Sequence, residues 1–435
     1  MSAAGPSNYE IFNIKKPSTG QETGIEGRIL NFNYYESIYS PMITGRLVIE
    51  DTGGTIENEK GLLSTIKDGM KITGFEEVSF KIATAFGDLN FRDYPLIVTG
   101  SPATKDEPNR QTLILNLVSK TEMISSSKPL SRNYPESPIS EAVEKILTKE
   151  LKITKDKLDI EKTQNQDKIK GNHCGALDVI QKMCKKSIPA NGKDPGYFFF
   201  ETQDGFNFKS IDGLIKEGIK KFEDSLQYAY NHTYFYFGAL VANLEKDRNP
   251  NDFKVLLPPL VRRDEDQLQA LRNGLYNVRI ITKNSLTGEY KEEIKNLLSG
   301  TNLGEKQEKP MQVTDDVYFK TYAFHINPGE DDPGVSTNIL NNPAEYVPQA
   351  NMRYSLLHTQ IVQIQVPCNV QLKAGQVIRL LLENITQSNK NDQIYNELRS
   401  GFYMICHLSH TFTPKNSYTS LTLLRDTREL YTSKK

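Results

Sequence analysis

The strongest constraint on this chain is a two-residue hydrophobic period that recurs near both ends. In "MITGRLVIED" (Met42–Asp51), apolar and polar residues alternate, and the run stops at the turn residues Gly53-Gly54. In "QTLILNLVSK" (Gln111–Lys120), Leu113, Leu115 and Leu117 share one face. Far downstream, "TQIVQIQVPCNVQL" aligns Val362, Ile364, Val366 and Cys368, and "GQVIRLLLEN" aligns Ile378, Leu380 and Leu382. Successive strand side chains point to opposite faces, so such runs specify strands with one buried face. The chain is therefore expected to be predominantly β at residues 1–125 and again at 352–435. "PLIVTG" and "QTLILNLVSK" are read as a hairpin whose long loop is the polar stretch "SPATKDEPNR".

The middle has another texture. After the proline-rich connector "SSSKPLSRNYPESP", Ser137 offers an N-cap and Pro138 fits the first helical position. Ile139, Ala142, Val143, Ile146 and Leu147 then follow at helical spacing, and a second helix carries Ala176, Leu177, Ile180, Met183 and Cys184. "YFFFETQDGFNFKSI" reads as a hairpin turning at Asp204-Gly205. These elements predict a small α+β domain over 126–215. Residues 216–297 are mixed: a short helix over Asp264–Arg272 ending at Gly274, then the strand "LYNVRIIT". Residues 298–351 are rich in Asn, Pro, Gly and Asp and are read as an extended polar arm.

With 435 residues, the chain has material for roughly two to four domains. Its 53 Lys+Arg against 54 Asp+Glu give no basic excess for gripping nucleic acid. Cys174, Cys184, Cys368 and Cys406 lack CxxC spacing and are expected to be reduced thiols. The start shows no signal-peptide pattern, and the most apolar stretch, Tyr234–Ala242, is too short to span a membrane as a helix. A cytoplasmically folded protein with no membrane insertion is expected.

The candidate chemistry is sparse. "GFYMICHLSH" places Cys406, His407 and His410 within five residues. A zinc site needs ligands converging on one point. Strand alternation puts Phe402, Met404, Cys406, Leu408, His410 and Phe412 on one face and His407 on the other. A buried strand is therefore expected, with no metal. His173-Cys174 precedes a helix, where a thiol pKa can fall, but no nucleophile signature surrounds it, so packing is the expected role. Glu330-Asp331-Asp332 lacks the alternating ligands of a calcium loop. There is no GxSxG, HExxH or GxxxxGK[ST] motif. No catalytic, cofactor-binding or metal-ligating residue is assigned, and the chain is expected not to be an enzyme. The aromatic runs "YFYFG" and "YFFFE" are read as core strands, with subunit contact as the alternative.

One internal echo stands out. "PLIVTG", a polar connection and "QTLILNLVSKTEM" resemble "YMICHLSHTF", a polar connection and "YTSLTLLRDTREL". Two equivalent barrels per chain would let three copies present six similar units.

The ordered series of segments resembles the baseplate hub proteins of contractile-tailed bacteriophages, which are related to type VI secretion spike hubs and late-control tail proteins. "YYESIYSPMITGRLVIEDTGG" looks like the opening hairpin of that family's first tube domain. "SRNYPESPISEAVEKIL" and "GNHCGALDVIQKMCKKSIPANGKDPGYFFFETQDGFNFKSI" look like its intervening domain. "LRNGLYNVRIITKNSLTGEY" looks like the start of its second tube domain, and "AGQVIRLLLEN" with "GFYMICHLSHTFTPKNSYTSLTLLRD" like its last strands. The resemblance implies two tail-tube-like β-barrels around an α+β domain. It also implies a homotrimeric, pseudo-sixfold ring in the virion baseplate, assembled in the host cytoplasm. The implied partners are the central spike, the tail tube or a tube initiator, and other baseplate proteins, with tape measure and DNA passing through without specific binding. Two alternatives stay open on the residues: the hub of a non-phage contractile injection system, and a tail-associated cell-wall hydrolase.

Overall fold

A computed structural model describes residues 5–54, 56–57, 61–108, 110–192, 194–224, 233–236, 253–263, 268, 272, 277–284, 287–296, 320–326, 343–382, 396 and 399–426. The first β region contains β1 (Asn8–Lys15), β2 (Glu22–Gly24), β3 (Ile29–Ser37), β4 (Thr44–Asp51), β5 (Ile56–Glu57) and β6 (Leu63–Ser64). It continues through the short helix α1 (Ile66–Met70), β7 (Glu77–Thr84), β8 (Gly87–Asn90), β9 (Leu96–Val98), β10 (Ala103–Glu107) and β11 (Arg110–Ser119). Helix α2 (Lys120–Ser127) leads into the α+β segment: β12 (Asn133–Pro138), α3 (Ile139–Lys145), β13 (Leu158–Ile160), β14 (Gln166–Lys170), α4 (Ala176–Cys184), β15 (Tyr197–Thr202), β16 (Gly205–Ser210) and α5 (Ile211–Asp224). Then follow β17 (Thr233–Tyr236), β18 (Leu260–Arg263), β19 (Asn277–Asn284), β20 (Tyr290–Asn296), β21 (Lys320–Ile326) and α6 (Pro343–Leu356). The chain closes with β22 (Gln360–Pro367), β23 (Val377–Leu382), β24 (Gly401–Phe412) and β25 (Ser417–Arg425).

The two β regions form one sheet. Its order is β18-β22-β25-β24-β3-β4-β11-β9-β7-β1-β2, and every pairing along that path is antiparallel. The hydrophobic period does what alternation requires. Leu113, Leu115 and Leu117 of β11 and Val362, Ile364 and Val366 of β22 are buried in one core shared by both regions. Burial of each such side chain contributes roughly 1.5–3 kcal/mol. The polar stretch "SPATKDEPNR" is not a loop. Its residues 103–107 form β10, which pairs with the first half of β11, while β9 pairs with the end of β11. Alternation is missing there because nearly all of β10 is exposed, leaving no face to make apolar.

The α+β segment has its own core, which brings together Ile139, Val143, Ile180, Phe199 and Phe208. Helix α3 starts one residue later than expected, with Pro138 at its N-cap and no capping side chain. The expected hairpin β15–β16 is present, but it turns at Gln203-Asp204, one residue before the expected Asp204-Gly205, because Gly205 already pairs with Thr202. Both faces of β15 are used: Tyr197 and Phe199 enter this core, and Phe198 and Phe200 enter a third core against β24. That disposition places "YFFFE" in the interior. Helix α5 was not anticipated. Ile211, Leu214 and Ile215 pack in the third core beside Val377 and Met404, with Ile219 against it, while Lys216, Lys220 and Lys221 are exposed, as in an amphipathic helix.

Residues 298–351 contain more structure than an extended arm. Residues 320–326 form β21, parallel to β19, in a separate sheet ordered β20-β19-β21. Helix α6 lays Ala344, Met352 and Leu356 against Val278 and Ile280. Pro348 lies within this helix and hides it from pattern reading, because proline lacks the N–H for an internal helical bond. The strand "NVRIIT" exists, but it belongs to this small sheet and not to the large one. Of the helix expected over Asp264–Arg272, only residues 268 and 272 are described, and both are helical; Glu330-Asp331-Asp332 lies outside the described residues.

Gly205 tests the packing of the α+β segment on β13. Its φ is +137°, and a Cβ there would stand 2.2 Å from the Lys157 carbonyl oxygen. Gly205→Ala is expected to cost about 1–3 kcal/mol, read as a lower midpoint in urea unfolding; an unchanged midpoint would contradict the close approach.

Candidate functional site

Strand β24, the stretch that holds the Cys/His cluster, is the seam of the molecule. One of its edges pairs with β25 from Met404 to Phe412. Its other edge changes partner midway. Residues 401–404 pair with β23, and residues 407–412 pair with β3 of the first β region. The change occurs at a β-bulge between Ile405 and His407. The Ile405 N–H donates to the Gln376 carbonyl and its carbonyl accepts from the Gly375 N–H, both at 2.8 Å, whereas the carbonyl of the next residue, Cys406, accepts from the Ile38 N–H at 3.0 Å.

The bulge also corrects the expected face assignment. An extra residue shifts the alternation by one. Phe402, Met404 and Cys406 enter the third core, whereas Tyr403, Ile405, Leu408 and Phe412 enter the first. Cys406 and His410 therefore do not share a face. Burial pushes the Cys406 thiol up to about 12 and the His410 imidazole down to about 3. His410 stacks on Tyr34 (5.8 Å), and its Nδ1 lies 2.9 Å from Thr419 Oγ1. His407 is exposed and lies 6.0 Å from the Tyr39 ring. No group of three or more metal-ligating side chains occurs among the described residues. His173 and Cys174 are not paired with each other. His173 Nδ1 meets Ser131 Oγ at 3.0 Å, and Cys174 Sγ meets Lys182 Nζ at 3.4 Å.

Two buried carboxyls, not singled out from sequence, tie the α+β segment to the seam. Glu36 of β3 accepts from the Tyr34 hydroxyl (2.7 Å), the Gln203 N–H (2.9 Å) and the Ala374 N–H (2.9 Å). One side chain thus joins the first β region, the β15–β16 turn and the approach to β23. Glu201 of β15 accepts from the Ile43 N–H at 3.0 Å. Burial raises both carboxyls to about 7, against the hydrogen bonds they accept, and Glu36 further raises Glu201. A glutamate inside a β-region strand pattern was the available signal, since charge is seldom buried without partners.

The opposite face of the seam is broad and nearly neutral. Between β22 and β11 it presents Gln363, Gln365, Ser420, Thr422, Ser409, Tyr35, Asn33 and Asn116. Its charged side chains are Arg46, Glu50 and Arg110, and Arg110 pairs with Glu50 at 3.1 Å. A shallow groove of about 650 Å³ crosses this face, with Leu257 and Leu260 on its rim. Among the described residues, no helix is long and apolar enough to cross a membrane.

A pH test isolates the carboxyl junction. A carboxyl whose folded pKa is raised from 4.5 to about 7 stabilises the fold fully below pH 4.5, and that contribution is lost as pH rises through 7. Glu36→Gln removes this dependence but also places an amide N–H against one of the three donors. The substitution is expected to lower the melting temperature at pH 5 and at pH 8, with the smaller loss at pH 8. An equal loss at both pH values would mean that Glu36 keeps an ordinary pKa.

No family model matches this sequence, and no curated protein matches it. Solved structures do resemble it in shape. A tail protein from Neisseria meningitidis MC58 superposes with a TM-score of 0.52 at 9% identity, covering 96% of this chain and 97% of that one. A 43 kDa tail protein of prophage MuSo2 from Shewanella oneidensis gives a TM-score of 0.49 at 9% identity, covering 97% and 100%. This chain shares the predominantly β fold of that Neisseria tail protein.

Proposed function

We propose that this protein is a structural baseplate hub of a contractile phage tail. Three copies form a pseudo-sixfold ring that joins the sixfold tail tube to the threefold central spike. The observation that carries this reading is the seam: two β regions from opposite ends of the chain merge into one antiparallel sheet. A chain built so offers two tube-like units per copy, hence six in a trimer. The likeness to a tail protein over nearly the whole of both chains supports the same reading.

The neutral outer face suits a channel wall. Proteins hold DNA chiefly through Lys and Arg contacts to phosphate, and their affinity scales with the number of such contacts. A wall of amides and hydroxyls with few charges lets a tape-measure protein and then DNA pass without being gripped. The role is mechanical connection in the virion baseplate, after assembly in the host cytoplasm. The binding partners are the spike, the tube or its initiator, and other baseplate proteins. No catalytic or cofactor site is assigned.

Light scattering in solution tests the assembly. The expected mass is about three times the chain mass of 49.3 kDa, with ring-shaped particles in negative stain. A stable monomer at micromolar concentration, with and without the spike protein, would overturn the hub reading.

A further inference from the structure

The turn between β3 and β4, residues 38–43, is fixed at both ends. The Ile38 N–H donates to the Cys406 carbonyl at 3.0 Å, and the Ile43 N–H donates to the Glu201 carboxyl at 3.0 Å. Between these anchors, Tyr39 supplies the hydrogen bonds to the helices. Its carbonyl accepts from Gln181 Nε2 of α4 at 3.2 Å, and its hydroxyl lies 3.0 Å from Nε2 of His358, two residues beyond α6. The Tyr39 ring stacks on His358 (5.8 Å), tilts against His407 of β24 (6.0 Å) and meets Phe198 of β15 edge-on (5.3 Å). One aromatic side chain thus ties the turn to α4, β15, β24 and the end of α6.

Donor accounting fixes which nitrogen of His358 carries the proton. Nδ1 lies 2.7 Å from the Tyr354 carbonyl, which can only accept, so Nδ1–H donates. In the neutral ring Nε2 then holds a lone pair and accepts from the Tyr39 hydroxyl. Burial pushes the Tyr39 phenol well up, so it keeps the proton it donates. Protonation of His358 reverses the arrangement. Nε2 becomes a donor, the hydroxyl must turn its proton away, and a charge enters a half-buried site.

The surroundings oppose that charge. Burial, and then Arg263 of β18, lower His358 against the Tyr354 carbonyl that it donates to; burial, and then His358, lower His407. Among the described residues, no carboxylate acts on either imidazole. Cys406 of β24 and Tyr354 of α6 face Tyr39, and Cys184 of α4 acts on Tyr354; burial raises all three and keeps them neutral. At the far anchor, Glu201 faces Glu36 and Glu122 and is raised to about 7, so it titrates in the opposite sense.

We propose that Tyr39, His358 and His407 form an acid-released latch on the β3–β4 turn, closed while both imidazoles are neutral and opened when they take up protons. With both imidazoles below the ordinary value of 6.5, the closed state is fully favoured above that pH and is lost as pH falls through the lowered values. Ser40, Met42 and His407 line the groove of the neutral face, so the latch sets one edge of that groove. The anchors at Ile38 and Ile43 confine the movement to the residues between them. The latch belongs to the chain itself and does not depend on the ring reading.

Hydrogen exchange in the full chain tests the latch, with rates corrected for the pH dependence of free-amide exchange. Protection of residues 38–43 is expected to fall at least about fivefold from pH 7.5 to pH 5 while that of β15 is unchanged. In the double variant His358→Gln with His407→Gln, whose side chains stay neutral, protection of the turn is expected to be equal at both pH values. Tyr39→Phe, which removes the hydroxyl, is expected to lose protection already at pH 7.5. Circular dichroism reports whether each variant is folded. Unchanged protection of the turn in the unaltered chain at pH 5 overturns the latch whatever the variants do. A rise in protection on acidification would assign the turn's pH response to Glu201, and a loss that persists in the folded double variant would assign it to the rest of the fold; either result overturns the latch.

Discussion

The structure depends on a single strand exchanging neighbours. On one edge, β24 leaves β23 and takes up β3 within two residues, at a bulge. Without that exchange, the strands from the two chain ends would form separate sheets with separate edges. With it, Phe32 and Phe412 stack at 6.0 Å across the junction, and residues from both regions bury each other in one core. The bulge sets the phase as well as the bend, so the same strand supplies Met404 to one core and Leu408 to another.

Around this seam the polar groups are concentrated where segments meet. Glu36 and Glu201 hold backbone N–H groups of other segments, and both resist ionisation because they are buried. On α6, Arg353 pairs with Asp212 of α5, and Arg425 of β25 donates to the Ser400 carbonyl at 2.9 Å beneath the Tyr403 ring. Such groups are costly to bury and cheaper to satisfy in only one arrangement. They fix how the α+β segment and α6 sit on the sheet, whereas the apolar cores supply most of the stabilisation.

Much of this was legible in the residues. The alternation in "QTLILNLVSK" and "TQIVQIQVPCNVQL" placed strands and their buried faces correctly, and the helical spacing from Ile139 to Leu147 located α3. What escaped notice had weak local signals. Strand β10 is almost wholly exposed, so it needs no alternation. Helix α6 contains Pro348, which disguises it in the sequence, and its apolar residues find partners on β19 only in three dimensions. The Cys/His stretch was correctly read as a buried strand, but its faces were misassigned beyond Ile405, because a bulge leaves no mark in the hydrophobic pattern when both faces are buried.

The sequence by itself determined that the two ends of the chain are β and half-buried, that an α+β segment stands between them, and that charge is balanced. These follow from period and composition, which act locally along the chain. Only the tertiary structure decided that the two β regions are one sheet and which side chain of "GFYMICHLSH" faces which core. Strand pairing joins residues hundreds of positions apart through backbone groups that every residue carries, so the order of strands is not written in any one segment.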